Sequence, residues 1–126
     1  MIRFALFGAG FIGQLAHLMN LVEIPECKVV AVAEYRPELR RRVAARYEIP
    51  NAYATHNELL RNEAVEAVVV VTPRPYTGPV TLDCLEAGKH VLTEKPMAGT
   101  CEQGERLVDA ARERNLKYVV GYMKRH

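Results

Sequence analysis

Tryptophan is absent from this 126-residue chain, and cysteine occurs only three times, at Cys27, Cys84 and Cys101. The cysteines are odd in number, far apart and without any C-x-x-C pair. That argues against a disulfide framework and against a thiolate metal site, and it fits reduced thiols in the cytoplasm. Charge of one sign is scarce as well: the formal net charge is +2, which makes no case for nucleic acid or a membrane surface as partner. No apolar run approaches the roughly 18 residues of a membrane span, and the first strand-like run opens at Ile2, leaving no room for a signal peptide. Linkers, low-complexity stretches and solenoid-scale repeats are missing too. What remains is a globular composition, 49% hydrophobic and 25% charged, that suits one domain over residues 1–126 with its own core.

What is present is concentrated at the start. Ile2–Phe7 is a short apolar run, and Gly8-Ala9-Gly10-Phe11-Ile12-Gly13 comes after it as a glycine-rich turn. Behind the turn, Ile12, Leu15, Ala16, Leu18, Met19 and Val22 repeat at helical spacing. Strand, G-x-G-x-x-G and helix in that order form the dinucleotide-binding fingerprint. Gly8 permits the tight turn, Gly10 lets a pyrophosphate approach the backbone, and Gly13 lets the helix pack close to the strand. The positive end of that helix then faces the phosphates. A second strand-like run, Lys28–Ala33, ends in Glu34 about 20 residues beyond the glycines, where an acid accepts the ribose hydroxyls of an adenosine. The alternative reading is a strand–helix–strand unit with a glycine turn and no ligand.

The rest alternates strand and helix. Pro37 opens a helix to about Tyr47, with Leu39, Val43, Ala44 and Tyr47 as its buried stripe. Its arginines read as a solvated face; the sharper reading makes Arg36 a seat for the 2′-phosphate of NADP, which the carboxylate of Glu34 opposes. Ala52–Ala54 is an edge strand, and Thr55-His56-Asn57-Glu58 a capping box before a short helix to about Arg61. His56 reads as a surface residue of that cap and His17 as a residue on the outer face of the first helix; neither has a metal or catalytic partner in the sequence. Ala67–Val71 is an unbroken apolar run, as expected of a parallel strand covered on both faces. Thr72-Pro73 ends it. Pro75 and Pro79 make Arg74–Gly78 a non-helical lead-in to a helix over Pro79–Ala87, stopped by Gly88. Lys89–Thr93 is a strand, Thr100–Gln103 a second capping box opening a helix to about Arg114, and Leu116–Tyr122 a final strand. The alternation predicts an α/β fold, a doubly wound parallel sheet of order 3-2-1-4-5-6 in three layers, with the ligand crevice between strands 1 and 4.

Ala87–Pro96, AGKHVLTEKP, resembles the strand and E-K-P motif of the glucose–fructose oxidoreductase/inositol dehydrogenase (Gfo/Idh/MocA) family. The glycine turn, Glu34, Thr72-Pro73 and Gly121-Tyr122-Met123-Lys124-Arg125 match it in the same order, so the resemblance covers the whole chain. It implies a Rossmann domain in which Gly8, Gly10, Phe11, Ile12 and Gly13 hold the pyrophosphate and Glu34 the ribose, with Tyr35 and Arg36 beside it. It further implies that Thr72 and Pro73 line the cleft, and that Glu94 and Lys95 lie at the nicotinamide end with Lys95 as the catalytic group. The implied cofactor is NAD rather than NADP, and the implied substrate is a sugar, inositol or related polyol. No metal is implied.

Two departures stand out. Arg74 and Thr77 occupy positions where the family often has asparagine and histidine, so Arg74 either favours an anionic substrate or is a surface arginine. The family's second domain, with its D-x-x-x-H histidine, is not in this sequence, and His126 is not that histidine because it closes the last strand. The chain therefore reads either as the cofactor half of an oxidoreductase, inactive on its own, or as a stand-alone dinucleotide-binding module. Loss of ligand binding altogether is the third reading. The face left open by the missing domain makes a homo-oligomer an expectation.

Overall fold

The computed structural model describes residues 1–125, so His126 and its expected place at the end of the last strand lie outside the described residues. Six parallel strands form one sheet in the order β3-β2-β1-β4-β5-β6. They are β1 (Ile2–Phe7), β2 (Cys27–Ala33), β3 (Asn51–Tyr53), β4 (Ala67–Val70), β5 (His90–Thr93) and β6 (Tyr118–Val120). The expected order is therefore observed. The last strand is shorter than the Leu116–Tyr122 expected, because the backbone after it closes into a 3-10 turn over Met123–Arg125.

Side chains alternate across the strands, and the two faces of the sheet have separate cores. On one face Leu6, Val32 and Val69 pack with Leu18 and Val43. On the other, Ala5, Phe7, Val68 and Val70 pack with Leu59, Cys84, Leu85 and Leu107. The first helix, α1 (residues 13–21), and the second, α2 (Pro37–Arg46), thus cover one face. Helices α3 (His56–Asn62), α4 (Arg74–Glu86) and α5 (Cys101–Glu113) cover the other.

Three local expectations are corrected. First, α4 starts at Arg74 and not at Pro79. Pro75 sits in the first turn, where a helical N–H has no partner anyway. Pro79 forgoes one ladder bond but lies on the exposed side, and Thr77 Oγ1 ties the start of the helix down by donating to the Thr72 carbonyl at 3.1 Å. Second, His56 is not a free surface residue. Its Nε2 lies 2.7 Å from Asp83 Oδ2 and its ring packs 6.0 Å from that of Phe7, so it joins α3 to α4. Third, α1 is not a plain α-helix. It is π-helical over Gly13–Leu18 and α-helical over Met19–Leu21. A π-turn holds one residue more than an α-turn, which rotates the later residues by about 100° relative to a continuous α-helix. Of the residues repeating at helical spacing, Leu18 is buried, while Ile12, Leu15, Ala16, Met19 and Val22 are exposed.

Candidate functional site: the carboxyl edge between β1 and β4

The residues just past the strand ends stay in register with their neighbours. Glu34 N–H donates to Tyr53 C=O, Gly8 N–H to Ala33 C=O, Val71 N–H to Phe7 C=O, Glu94 N–H to Val70 C=O and Gly121 N–H to Thr93 C=O. The sheet edge therefore fixes Gly8, Glu34, Val71, Glu94 and Gly121 side by side. Successive strands are added in one direction from β1 to β3 and in the other from β4 to β6, so the loops after β1 and β4 diverge and leave a crevice.

The glycine turn is shaped by close backbone approach. Gly8 has φ +89°, and a Cβ on it would overlap the carbonyl oxygen of Val71; a Cβ on Gly13 would overlap the carbonyl oxygen of Gly8. Gly10 has open space, with only the Arg36 guanidinium near, its Nη2 lying 3.7 Å from where a Cβ would stand. The first helical bond of α1 is Gln14 N–H to Gly10 C=O at 3.0 Å. The N–H groups of Phe11, Ile12 and Gly13 precede the ladder and have no earlier helical carbonyl to meet. A dinucleotide pyrophosphate fits this cradle: a bare Gly10, first-turn donors, and the positive end of a helix. Phe11 and Ile12 are exposed at its rim.

Glu34 is the brace of the turn. Its side chain is only 2% exposed, and both carboxylate oxygens are taken. Oε1 accepts from Arg36 N–H at 3.1 Å and Arg36 Nε at 2.8 Å, while Oε2 accepts from Ala9 N–H at 3.0 Å and Arg36 Nη2 at 3.1 Å. A carboxylate has about four lone-pair positions, so none is left over. Arg40 Nη1 donates to the Glu34 carbonyl at 2.7 Å. Gln14 Nε2 closes the turn from the other side by donating to the Ala9 carbonyl at 2.9 Å. The guanidinium of Arg36 remains half exposed and stacks 5.3 Å from the exposed ring of Tyr35.

These bonds set the charge on Glu34. Burial is the largest single influence and pushes its carboxyl up. The Arg36 side-chain bond, the N–H bonds from Arg36 and Ala9, and the guanidinium charge together outweigh it, so the group lies below the ordinary 4.5. A folded value below the unfolded one contributes stability that is fully present above the unfolded value and lost as pH falls through the folded value. Urea unfolding at stepped pH is expected to show stability dropping more steeply, from about pH 5 downward, in the wild type than in Glu34→Gln. Equal slopes would contradict the brace.

Across the crevice, Thr72 is half-buried, Pro73 and Arg74 are exposed, and Thr77 is buried with its hydroxyl turned to the Thr72–Pro73 backbone. Thr77 therefore shapes the loop and does not present a side chain to the crevice. Glu94 is mostly buried and Lys95 is exposed. The correction concerns His17: it is not on an outer face. Its side chain is 14% exposed, and Nε2 lies 2.7 Å from Glu94 Oε1. Sequence reasoning missed this contact because helical spacing from Gly13 aims His17 elsewhere; the π-turn supplies the difference. Among the described residues there is no group of three or more His, Cys, Asp or Glu side chains able to hold a metal, and no helix is long and apolar enough to cross a membrane.

The geometry agrees with the relatives. The Gfo/Idh/MocA profile described as "Oxidoreductase family, NAD-binding Rossmann fold" matches residues 2–122. The chain is 36% identical over 121 residues to inositol 2-dehydrogenase of Rubrobacter xylanophilus, covering 94% of this chain and 34% of that one. It is 32% identical over 126 residues to the scyllo-inositol 2-dehydrogenase (NADP(+)) IolW of Bacillus subtilis, covering 98% and 34%. It superposes with a TM-score of 0.91 and 29% identity on the WlbA dehydrogenase from Chromobacterium violaceum in complex with NADH and UDP-GlcNAcA, covering 99% and 36%. The chain thus spans about a third of the length of these relatives. Matched over nearly its whole length and carrying the glycine cradle, the buried acid and the E-K-P turn in place, the chain belongs to the Gfo/Idh/MocA oxidoreductase family, as its NAD-binding Rossmann fold.

Proposed function

We propose that this chain binds NAD(P) across the β1/β4 crevice and serves as the cofactor portion of a dehydrogenase that oxidises a hydroxyl of a sugar, inositol or related polyol. The observation that carries the proposal is the common edge: the glycine cradle and Glu34–Arg36 lie on one side of the crevice, Glu94-Lys95 on the other. Gly8, Gly10, Phe11, Ile12 and Gly13 would hold the pyrophosphate. Glu34, Tyr35 and Arg36 would hold the adenosine ribose, and Thr72, Pro73, Glu94 and Lys95 would line the nicotinamide end. When bound, the nicotinamide supplies the hydride acceptor. Lys95 holds the substrate oxygen and stabilises the charge that develops on it. Because Lys95 is exposed in this chain, water competes for that position. The chain alone therefore binds cofactor but turns over substrate poorly.

The expectation of NAD over NADP rests on a carboxylate open to the ribose. Here Glu34 is buried and engaged, and the group facing outward is the Arg36 guanidinium. Support for a shared seat also comes from the relatives, one named for NADP and one solved with NADH. Our reading is that both cofactors are accepted and that Arg36 sets the NADP share, since a guanidinium matches a phosphate in a bidentate fork. Titration by fluorescence is expected to show Arg36→Ala weakening NADPH by about tenfold or more while NADH stays within about threefold. Equal losses for both would contradict the assignment of Arg36 to the 2′-phosphate.

A further inference from the structure

One side-chain bond crosses the crevice itself. His17 belongs to the helix after β1, and Glu94 comes directly after β5, two strands away in the sheet with β4 between them. Their side chains meet at 2.7 Å and both are largely buried. A carboxylate only accepts hydrogen bonds, so Nε2 of His17 carries the proton and donates. The other carboxylate oxygen, Glu94 Oε2, accepts from the backbone N–H of Lys95 at 3.3 Å. Gly121, just after β6, leaves room beside the carboxylate: a Cβ there would stand 3.7 Å from Oε1. Glu94 is therefore held at both oxygens, by His17 and by the Lys95 N–H, and its own position fixes the first peptide of the turn that carries Lys95.

The π-turn gives this contact its origin. Single π-turns inside α-helices are uncommon and concentrate at functional sites. Here the π-helical segment ends one residue past the imidazole, at Leu18. Its extra residue turns His17 inward while Leu18 stays in the core. On the outer side of the same helix Leu15, Met19 and Val22 are exposed.

We infer that His17 is a positioning residue of the nicotinamide end: delivered by the π-turn, it clamps Glu94 across the crevice and, through Glu94, sets the turn that presents Lys95. This rests on the cofactor reading proposed for the crevice. The clamp acts on one end of the cofactor only. The cradle and Glu34–Arg36 hold the adenosine half without it, so the two halves of the ligand separate the effects.

The test measures Kd for NADH and for ADP-ribose, which lacks the nicotinamide, in the full chain by titration calorimetry. Wild type is expected to bind NADH more tightly than ADP-ribose. His17→Ala is expected to weaken NADH by about tenfold and leave ADP-ribose within about twofold. His17→Gln, whose amide can stand where Nε2 stands, is expected to restore most of the loss. Glu94→Ala is expected to reproduce the selective loss, and the double variant to be no worse than either single one, as required of two residues acting through one contact. Should His17→Ala fail to fold, the Gln and Glu94 variants decide alone. A wild type that binds neither ligand overturns the cofactor reading and this inference with it. With ADP-ribose bound, three results overturn the inference alone: NADH and ADP-ribose bound alike by wild type, equal weakening of both in His17→Ala, or no rescue by Gln.

Discussion

Gly8→Ala is expected to destabilise the chain by about 3 kcal/mol or more, with Tm lower by roughly 10 °C or more in a thermal melt. Two costs add. The backbone at Gly8 has φ +89°, a left-handed conformation that costs an L-residue about 1–2 kcal/mol. The new methyl group would also overlap the Val71 carbonyl oxygen, and relieving such overlap costs about 1–3 kcal/mol. The obstacle is backbone, and it is backbone in the ladder: Gly8 and Val71 each donate to a neighbouring strand, at Ala33 and Phe7. The overlap cannot be relieved without opening the sheet at β1 and β4. A variant that melts within a few degrees of wild type would show that the turn is looser than these contacts require.

Lys95→Ala has the largest expected effect on chemistry. Lys95 is exposed and stands at the carboxyl end of β5, in a turn pinned by its own N–H to Glu94. Removing the ammonium group leaves this framework in place, so Tm is expected not to move. Activity is read in a dehydrogenase made by joining the chain to the remaining two thirds of the Rubrobacter relative. There kcat is expected to fall by about 10²-fold, in keeping with loss of a general acid/base, while Kd for NADH changes little. A normal kcat, or loss of cofactor binding with turnover kept at saturation, would remove Lys95 from the catalytic role.

Much of the site was legible because it depends on residues with one physical use. Gly8 and Gly13 are required by backbone contacts that only glycine permits, and so they read correctly from spacing alone. The unbroken apolar run of β4 read as a doubly covered strand, and Val68, Val69 and Val70 are fully buried between the two helical layers. Thr100 caps α5 as its sequence suggested, accepting from Gln103 N–H at 3.1 Å. The helix stop at Gly88 was equally legible, its φ being positive.

The illegible parts depend on geometry that periodicity does not carry. A π-turn leaves no mark in an apolar repeat, so His17 read as outward, and the structure turns it inward onto Glu94. Prolines near a helix start are ambiguous in the same way: Pro75 and Pro79 fit a lead-in or an opening turn, and Thr77 Oγ1 on the Thr72 carbonyl decides for the turn. The state of Glu34 needed the structure too. An acid at the end of β2 reads as a ribose ligand, but the residue two positions on, Arg36, returns to saturate it.

The function proposed for this chain stands or falls on the crevice being a dinucleotide site, and Gly10 isolates that claim from stability. A Cβ there would have only the movable guanidinium of Arg36 near it, at 3.7 Å, yet a side chain would occupy the space left for a pyrophosphate. The measurement is a calorimetric titration of the chain and of Gly10→Val with NADH, alongside their melting curves. A dinucleotide site predicts saturable one-to-one binding by the wild type, lost in Gly10→Val at a Tm close to that of wild type. Absence of binding by the wild type, or undiminished binding by Gly10→Val, would contradict it.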